Sequence, residues 1–301
     1  MERNNFKLSV VIALVNGLPI IEECLESLRQ QSGLEALEVI VANRCPEGIG
    51  IYLRQKYPWI KLIEAPQHTT VPQLRALAIR EAMGDLVAVI EDHCIVDPDW
   101  AERMIAAHKK LEYPVIGGSV ENAAREKLSD WAAFFCEYSQ AMKPLPDGEV
   151  ETVPGNNVSY KRWVLDRFQH LIEPGIWDSI LHEQMRKELI PIYSIPSITV
   201  HHKLSANLTW FLVQKFHFAR SFAGTRFNGA SRARRVFYSA ASVLLPIILL
   251  KRIVSRVWQK GNYRSQLVKS SPVLLLLLIG WGLGEMVGYL AGPGSSSAKV
   301  A

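Results

Sequence analysis

Acidic residues are almost missing from the last third of this chain. Of 301 residues, those from Ala206 to Ala301 include 13 Lys and Arg against a single acid, Glu285. The remainder carries 21 basic and 28 acidic residues, so a net charge of +5 conceals an acidic front and a basic back. Basic charge mixed with long apolar runs suits anionic membrane lipids rather than nucleic acid. The arginines come with no recognised nucleic-acid-binding motif, and no nucleic-acid partner is expected. Cysteine is scarce as well. Cys24, Cys45, Cys94 and Cys136 stand apart with no CxxC pair, which argues against a zinc knuckle or a disulfide framework and fits a reducing compartment. No leader peptide is expected: the apolar run Leu8 to Val15 is short, follows Glu2 and several polar residues, and closes at Asn16-Gly17 without a small-residue cleavage site. The front domain is therefore expected in the cytoplasm. No internal repeat is visible.

Strand and helix patterns do alternate. Lys7 to Val15, Glu38 to Ala42, Trp59 to Glu64, Leu86 to Ile90 and Val115 to Val120 read as strands. Helices are expected from Pro19 to about Gln31, from about Gly50 to Lys56, over Val71 to Met83 behind a Thr70 cap, and from Pro98 to about Leu111. Ser129 to Met142 and Asp178 to Leu189 also have helical spacing, and Ile192 to His202 is extended. Such alternation indicates a doubly wound α/β sheet whose strand ends face one crevice. Asn16, Asn43 and the triplet Glu91-Asp92-His93 should meet there. Five apolar residues run straight into that triplet, and acids beside an imidazole suit a divalent metal and a phosphate-bearing substrate.

Several stretches together resemble the family 2 glycosyltransferases with the GT-A (nucleotide-diphospho-sugar transferase) fold over roughly Lys7 to Lys203. They are VVIALVNGLPIIEECLESLRQQ, EVIVANR, VPQLRALAIREAMGDLVAVIEDH, PGNNVSYKR and LHEQMRKEL, in the family's order. The resemblance implies a doubly wound mixed sheet and an inverting, metal-dependent transfer of sugar from a nucleotide-sugar. It implies donor contacts at Val15, Asn16, Asn43, Arg75, Glu91 and Asp92, and acceptor contacts at Gly155, Asn156, Asn157 and Trp177. The proton-accepting base falls on Glu183, with Asp178 in reserve. Mn2+ or Mg2+ is implied at Asp92 and His93, with Glu91 acting through water or the donor ribose. Two positions depart from the family pattern. Asn43-Arg44-Cys45 replaces paired acids, and His93 replaces the last acid of the Asp-x-Asp metal motif. The second change resembles an Asp-x-His version that recruits a downstream His, which implies His201 or His202. Adjacent strand residues face opposite ways, so only one of the two should reach the site. A nucleotidyltransferase on a similar sheet, or an inactive sugar-binding scaffold, are the rival readings. Release of diphosphate or of pyrophosphate separates the first, and metal-dependent donor hydrolysis the second.

Behind this domain (1–205) the composition changes. Residues 206–235 read as a basic amphipathic helix for a membrane interface. Pro272 to Gly292 has 21 residues and one charge, enough to cross a bilayer core of about 30 Å. The segment 236–254 has basic flanks on both sides, so it is either re-entrant or the first arm of a spanning hairpin. The first alternative is favoured and places a reporter fused after Ala301 outside the cytoplasm. The expected setting is the cytoplasmic face of the cell (inner) membrane, with a lipid-linked or saccharide acceptor and membrane lipids as partners.

Overall fold

A computed structural model describes residues 7–227 and 229–300. Expectations resting on residues 1–6, on 228 and on 301 lie outside the described residues. The chain divides into two compact units, one running up to Glu121 and resuming over Lys143–Lys203, the other formed by Asn122–Met142 and the chain from Leu204 onward.

The first unit carries a nine-stranded mixed sheet. Its elements in chain order are β1 (Leu8–Leu14), α1 (Ile20–Arg29), β2 (Leu37–Asn43), α2 (Glu47–Lys56), β3 (Lys61–Glu64), α3 (Val71–Glu81), β4 (Leu86–Glu91), β5 (Cys94–Val96), α4 (Trp100–Leu111) and β6 (Val115–Asn122). After an excursion into the second unit through α5 (Leu128–Tyr138) come β7 (Gly148–Val150), β8 (Val158–Lys161), α6 (Arg162–Arg167), α7 (Gln169–Ile172), α8 (Asp178–Lys187) and β9 (Ile192–His202). The strand order is β3-β2-β1-β4-β8-β6-β9-β5, with β7 on β9. Strands β3, β2, β1 and β4 are parallel, and β8 enters antiparallel beside β4.

All seven residues of β1 and all seven of β2 are buried, as continuous apolar runs covered on both faces should be. Ile21, Leu25 and Leu28 of α1 and Trp100 and Met104 of α4 join the core against them. Helix α3 starts in a capping box: Thr70 Oγ1 accepts from the Gln73 amide at 3.3 Å, and Gln73 Oε1 accepts from the Thr70 amide at 3.0 Å. That fixes the turn which brings Arg75 in. The sheet order reverses at β1, between β2 and β4, and the crevice at their carboxyl ends is where such sheets bind ligands.

The second unit is helical: α5, then α9 (Leu208–Arg226), α10 (Arg232–Ala241), α11 (Leu245–Lys260), α12 (Arg264–Ala291) and α13 (Ser296–Lys299). Two stretches, Arg232–Lys260 and Arg264–Ala291, are long and apolar enough to cross a membrane. Four expectations change. Residues 122–142 group with the C-terminal helices rather than with the sheet. The single helix expected over 206–235 is two, since α9 stops at Arg226 and α10 starts at Arg232. The segment 236–254 is broken by a 3-10 turn at Ser242–Leu244, ahead of Pro246 in the first turn of α11, where proline is tolerated. Helix α12 begins eight residues before Pro272, which lies inside it.

Candidate active site

Strand β4 ends at Glu91, and the two-residue turn Asp92-His93 leads directly into β5. Three consecutive side chains therefore point three ways. Asp92, 1% exposed, turns back to the end of β1. Its Oδ2 accepts from the amides of Val15 and Asn16, both at 2.8 Å. Its Oδ1 accepts from Asn16 Nδ2 at 2.8 Å and faces His93 Nδ1 at 2.8 Å. His93 turns the other way, toward β9, and its Nε2 lies 2.8 Å from Nε2 of His202. Antiparallel pairing of β5 with β9 sets Cys94 opposite His202 and Ile95 opposite His201. That register sends the two histidines to opposite faces. His202 is buried beside His93, whereas His201 lies half-buried with its Nε2 2.9 Å from Asp97 Oδ1.

Glu91 is the third arm. Its Oε2 lies 3.3 Å from His93 Nε2 and accepts from Asn156 Nδ2 at 3.2 Å. Its Oε1 accepts from Arg75 Nη2 at 3.2 Å. The other guanidinium nitrogen of Arg75 donates to Asp178, the first residue of α8. A Cβ on Gly155 would stand 2.2 Å from Asp178 Oδ2, so the glycine makes room for this carboxylate. The site thus reads as one chain: Asp178, Arg75, Glu91, then the two histidines.

Electrostatics follow the geometry. Burial pushes Glu91 up, but His93, Arg75 and His202 outweigh it and hold the carboxyl well below the usual range. Burial pushes His93 down, and Asp92 and Glu91 overcome that and raise it to about 9. His202 falls to about 3, from burial and the neighbouring His93 cation. Ligand atoms of Glu91, His93 and His202 all lie within 4.8 Å of one another, so the three can hold a metal ion. Two imidazoles and a carboxylate suit a manganese-like ion. Asp92 beside Nδ1 orients the ring and leaves Nε2 for a metal, as carboxylates behind ligating histidines commonly do.

Residues 9–167 match the model of the glycosyl transferase family 2. The chain belongs to that family. Among solved structures it is similar to S. aureus TarS 1-349, at 14% identity and TM-score 0.55, covering 94% of this chain and 91% of that one. The same protein in complex with UDP-GlcNAc gives a TM-score of 0.52 at 14% identity, with the same coverage. GalNAc-T7 with UDP, GalNAc and Mn2+ gives 0.52 at 12% identity, covering 68% of this chain and 45% of that one. At such identities the likeness is one of fold, and the fold is GT-A. No curated protein matches.

In this family 2 glycosyltransferase the other expected residues divide into two groups. Asn156 faces Glu91, and its Oδ1 is buried without a hydrogen-bond partner. Asn157 is instead a structural bolt. It accepts from Trp100 Nε1 at 3.0 Å and donates to the carbonyls of Ser119 at 2.8 Å and Ile198 at 2.9 Å, which uses its amide in joining β8, β6 and β9. Asn43 closes its own turn, accepting from the Cys45 amide at 2.8 Å and donating to Glu64 at 2.8 Å. Trp177 is buried at the N-terminal boundary of α8. Glu183 lies on α8 with Lys187 3.4 Å away, and its side chain is 36% exposed.

Two groups escaped the sequence reading. Arg44, buried and donating to the Thr69 carbonyl at 2.8 Å, is close enough to Asp92 for the charges to interact. Its position in the motif was visible as a departure from paired acids, but not its burial. His182 links Tyr160 and Thr152, at 2.8 and 3.0 Å, and no local pattern distinguishes it from a surface helix residue.

Proposed function

We propose that the protein is an inverting, metal-dependent glycosyltransferase that moves a sugar from a nucleotide-sugar to a hydroxyl of a lipid-linked or saccharide acceptor at the cytoplasmic face of the membrane. The observation that carries the reading is the cluster of Glu91, His93 and His202, with ligand atoms within 4.8 Å at the carboxyl end of β4. These three residues would hold the divalent ion, and two imidazoles favour a transition metal such as Mn2+ over Mg2+. Asp92 is reassigned: four contacts already saturate its carboxylate, so it orders the end of β1 and the His93 ring. A bound divalent cation supplies charge neutralisation for the departing diphosphate.

The base is assigned to Asp178 rather than Glu183. Asp178 joins the cluster through Arg75, while Glu183 belongs to an exposed ion pair one turn further along α8. Asp178 accepts the proton of the acceptor hydroxyl as its oxygen bonds to the anomeric carbon and the bond to the diphosphate breaks. Arg75 lies between the base and the donor side and is suited to take up negative charge on the donor. Val15 and Asn16 line the donor side through the loop that Asp92 holds. Gly155 and Asn156 stand beside the base, where an acceptor approaches.

Mn2+ binding to the purified protein, followed by the loss of the free-ion electron paramagnetic signal, tests the metal set. His202→Ala should weaken binding by at least about 100-fold, beyond what loss of an outer partner costs. His201→Ala should leave it unchanged. Equal effects from the two would discard this assignment.

A further inference from the structure

Helix α12 has the length and composition of a membrane span, yet its neighbours in the C-terminal unit contradict that role. Cβ atoms built on Gly280, Gly284 and Gly288 would meet the carbonyls of Leu212, Phe216 and Arg220 at 3.5, 2.4 and 2.5 Å. The paired positions rise together, so α9 runs parallel to α12 in close backbone contact. Past α12 the chain turns at Gly292-Pro293-Gly294 and doubles back along α9. Ser297 Oγ lies 2.7 Å from Ser221 Oγ, Ser296 Oγ 3.0 Å from His217 Nδ1, and the Lys299 carbonyl accepts from Gln214 Nε2 at 3.2 Å. Gln214 falls between Leu212 and Phe216, so Lys299 is level with the stretch between Gly280 and Gly284. That is the middle of the apolar run. Were α12 to cross a bilayer, Gln214, His217 and a helical turn of serines and lysine would sit near its centre. Polar and charged groups there are expensive. The ion pair of buried Lys215 with half-buried Glu137 of α5 adds to the cost. Both ends of the run are also basic: Arg220 and Arg235 donate to the carbonyls of Gly292 and Tyr289, and Arg256, Lys260 and Arg264 flank the other end.

The same unit exposes a continuous supply of apolar side chains. Phe237, Val243, Leu244, Ile247, Ile248 and Trp258 are exposed on α10, α11 and the turn between them. Lys251, Arg252, Ser255 and Arg256 follow Ile247 and Ile248 along the same helix α11. Apolar residues next to lysine and arginine fit the boundary between acyl chains and anionic head groups. We infer that the C-terminal unit docks onto one leaflet of an anionic phospholipid bilayer and that neither of its long apolar helices crosses it. This concerns how the protein meets the membrane and holds whatever sugar is transferred.

The test uses the full chain, expressed in bacterial membranes with Cys45 and Cys136 replaced by Ser. Single cysteines are introduced as Asn262→Cys, between α11 and α12, and Lys299→Cys, after α12. A membrane-impermeant maleimide should label both in inside-out vesicles and neither in intact spheroplasts. Labelling of Lys299→Cys from outside restores a single span, labelling of Asn262→Cys from outside restores a spanning hairpin, and either result overturns the inference. Flotation with vesicles tests the lipid. The purified chain should bind phosphatidylcholine vesicles containing 30% phosphatidylglycerol far more tightly than pure phosphatidylcholine. The triple change of Lys251, Arg252 and Arg256 to Gln should weaken that binding by about two orders of magnitude. Equal flotation of both proteins on both vesicles refutes the anionic surface.

Discussion

Replacing Asp178 by Asn separates the two candidate bases. The substitution is nearly isosteric and keeps an oxygen for Arg75, so the donor side should stay assembled. What disappears is the proton acceptor. A positioned general base contributes about 10²–10⁴-fold, equivalent to roughly 3–5 kcal/mol of barrier. Glu183→Gln removes only an exposed pair with Lys187 across one helical turn, worth about 0.3–0.5 kcal/mol, so turnover should fall less than about twofold. The assay is release of nucleoside diphosphate with Mn2+ present, using the nucleotide-sugar that most raises the melting temperature of the protein. Donor affinity, read from the same melting shift, should be equal in both variants. If Glu183→Gln loses two orders of magnitude while Asp178→Asn turns over normally, the argument from the Arg75 bridge is wrong.

Gly155→Ala should lower turnover at least about tenfold with little change in donor affinity, because the added methyl, 2.2 Å from Asp178 Oδ2 and 2.6 Å from its Cγ, drives the carboxylate off Arg75. Steady-state kinetics on the folded variant check this, and unchanged turnover refutes it. A second prediction concerns acid. Burial holds His182 and His108 at about 4, below the ordinary value near 6.5, so the unfolded chain takes up their protons first. Their contribution is complete above pH 6.5 and is lost as pH falls toward 4, by about 3 kcal/mol for each. Melting temperature followed across that range should drop more steeply for the wild type than for His182→Gln, and matching slopes would contradict the assignment.

Strands β1, β2 and β4 of the parallel half were legible because they are buried, largely apolar runs that end in polar or turn residues. Thr70 was legible as a cap for the same kind of local reason. Strands β5 and β7 were not, since three residues each carry no period. Yet β5 decides the site, because its register on β9 chooses His202 over His201. Alternation alone said that only one of the pair would face inward, and only the pairing says which. The same limit separated Asn156 from Asn157. Adjacent and chemically identical, one faces Glu91 and the other bolts three strands together. Glu183 and Asp178 could not be told apart locally because both acids lie on one helix, and what distinguishes their surroundings is Arg75, 103 positions away in sequence from Asp178.

The histidine at position 93 then has a physical explanation. A two-residue turn between β4 and β5 cannot send neighbouring side chains to the same point. Asp92 goes to β1, where two backbone amides and Asn16 claim it. A metal held at this turn must therefore take its ligands from Glu91 on one side and position 93 on the other. An aspartate at 93 would face His202 with a shorter arm and no second nitrogen for Asp92 to orient. Imidazole spans the gap: Nδ1 rests on Asp92 at 2.8 Å while Nε2 reaches to 2.8 Å from His202. Exchanging His93 alone for Asp removes the ring nitrogen that lies beside His202. Restoring the ordinary motif by His93→Asp should weaken Mn2+ binding rather than strengthen it, which direct titration of the variant measures.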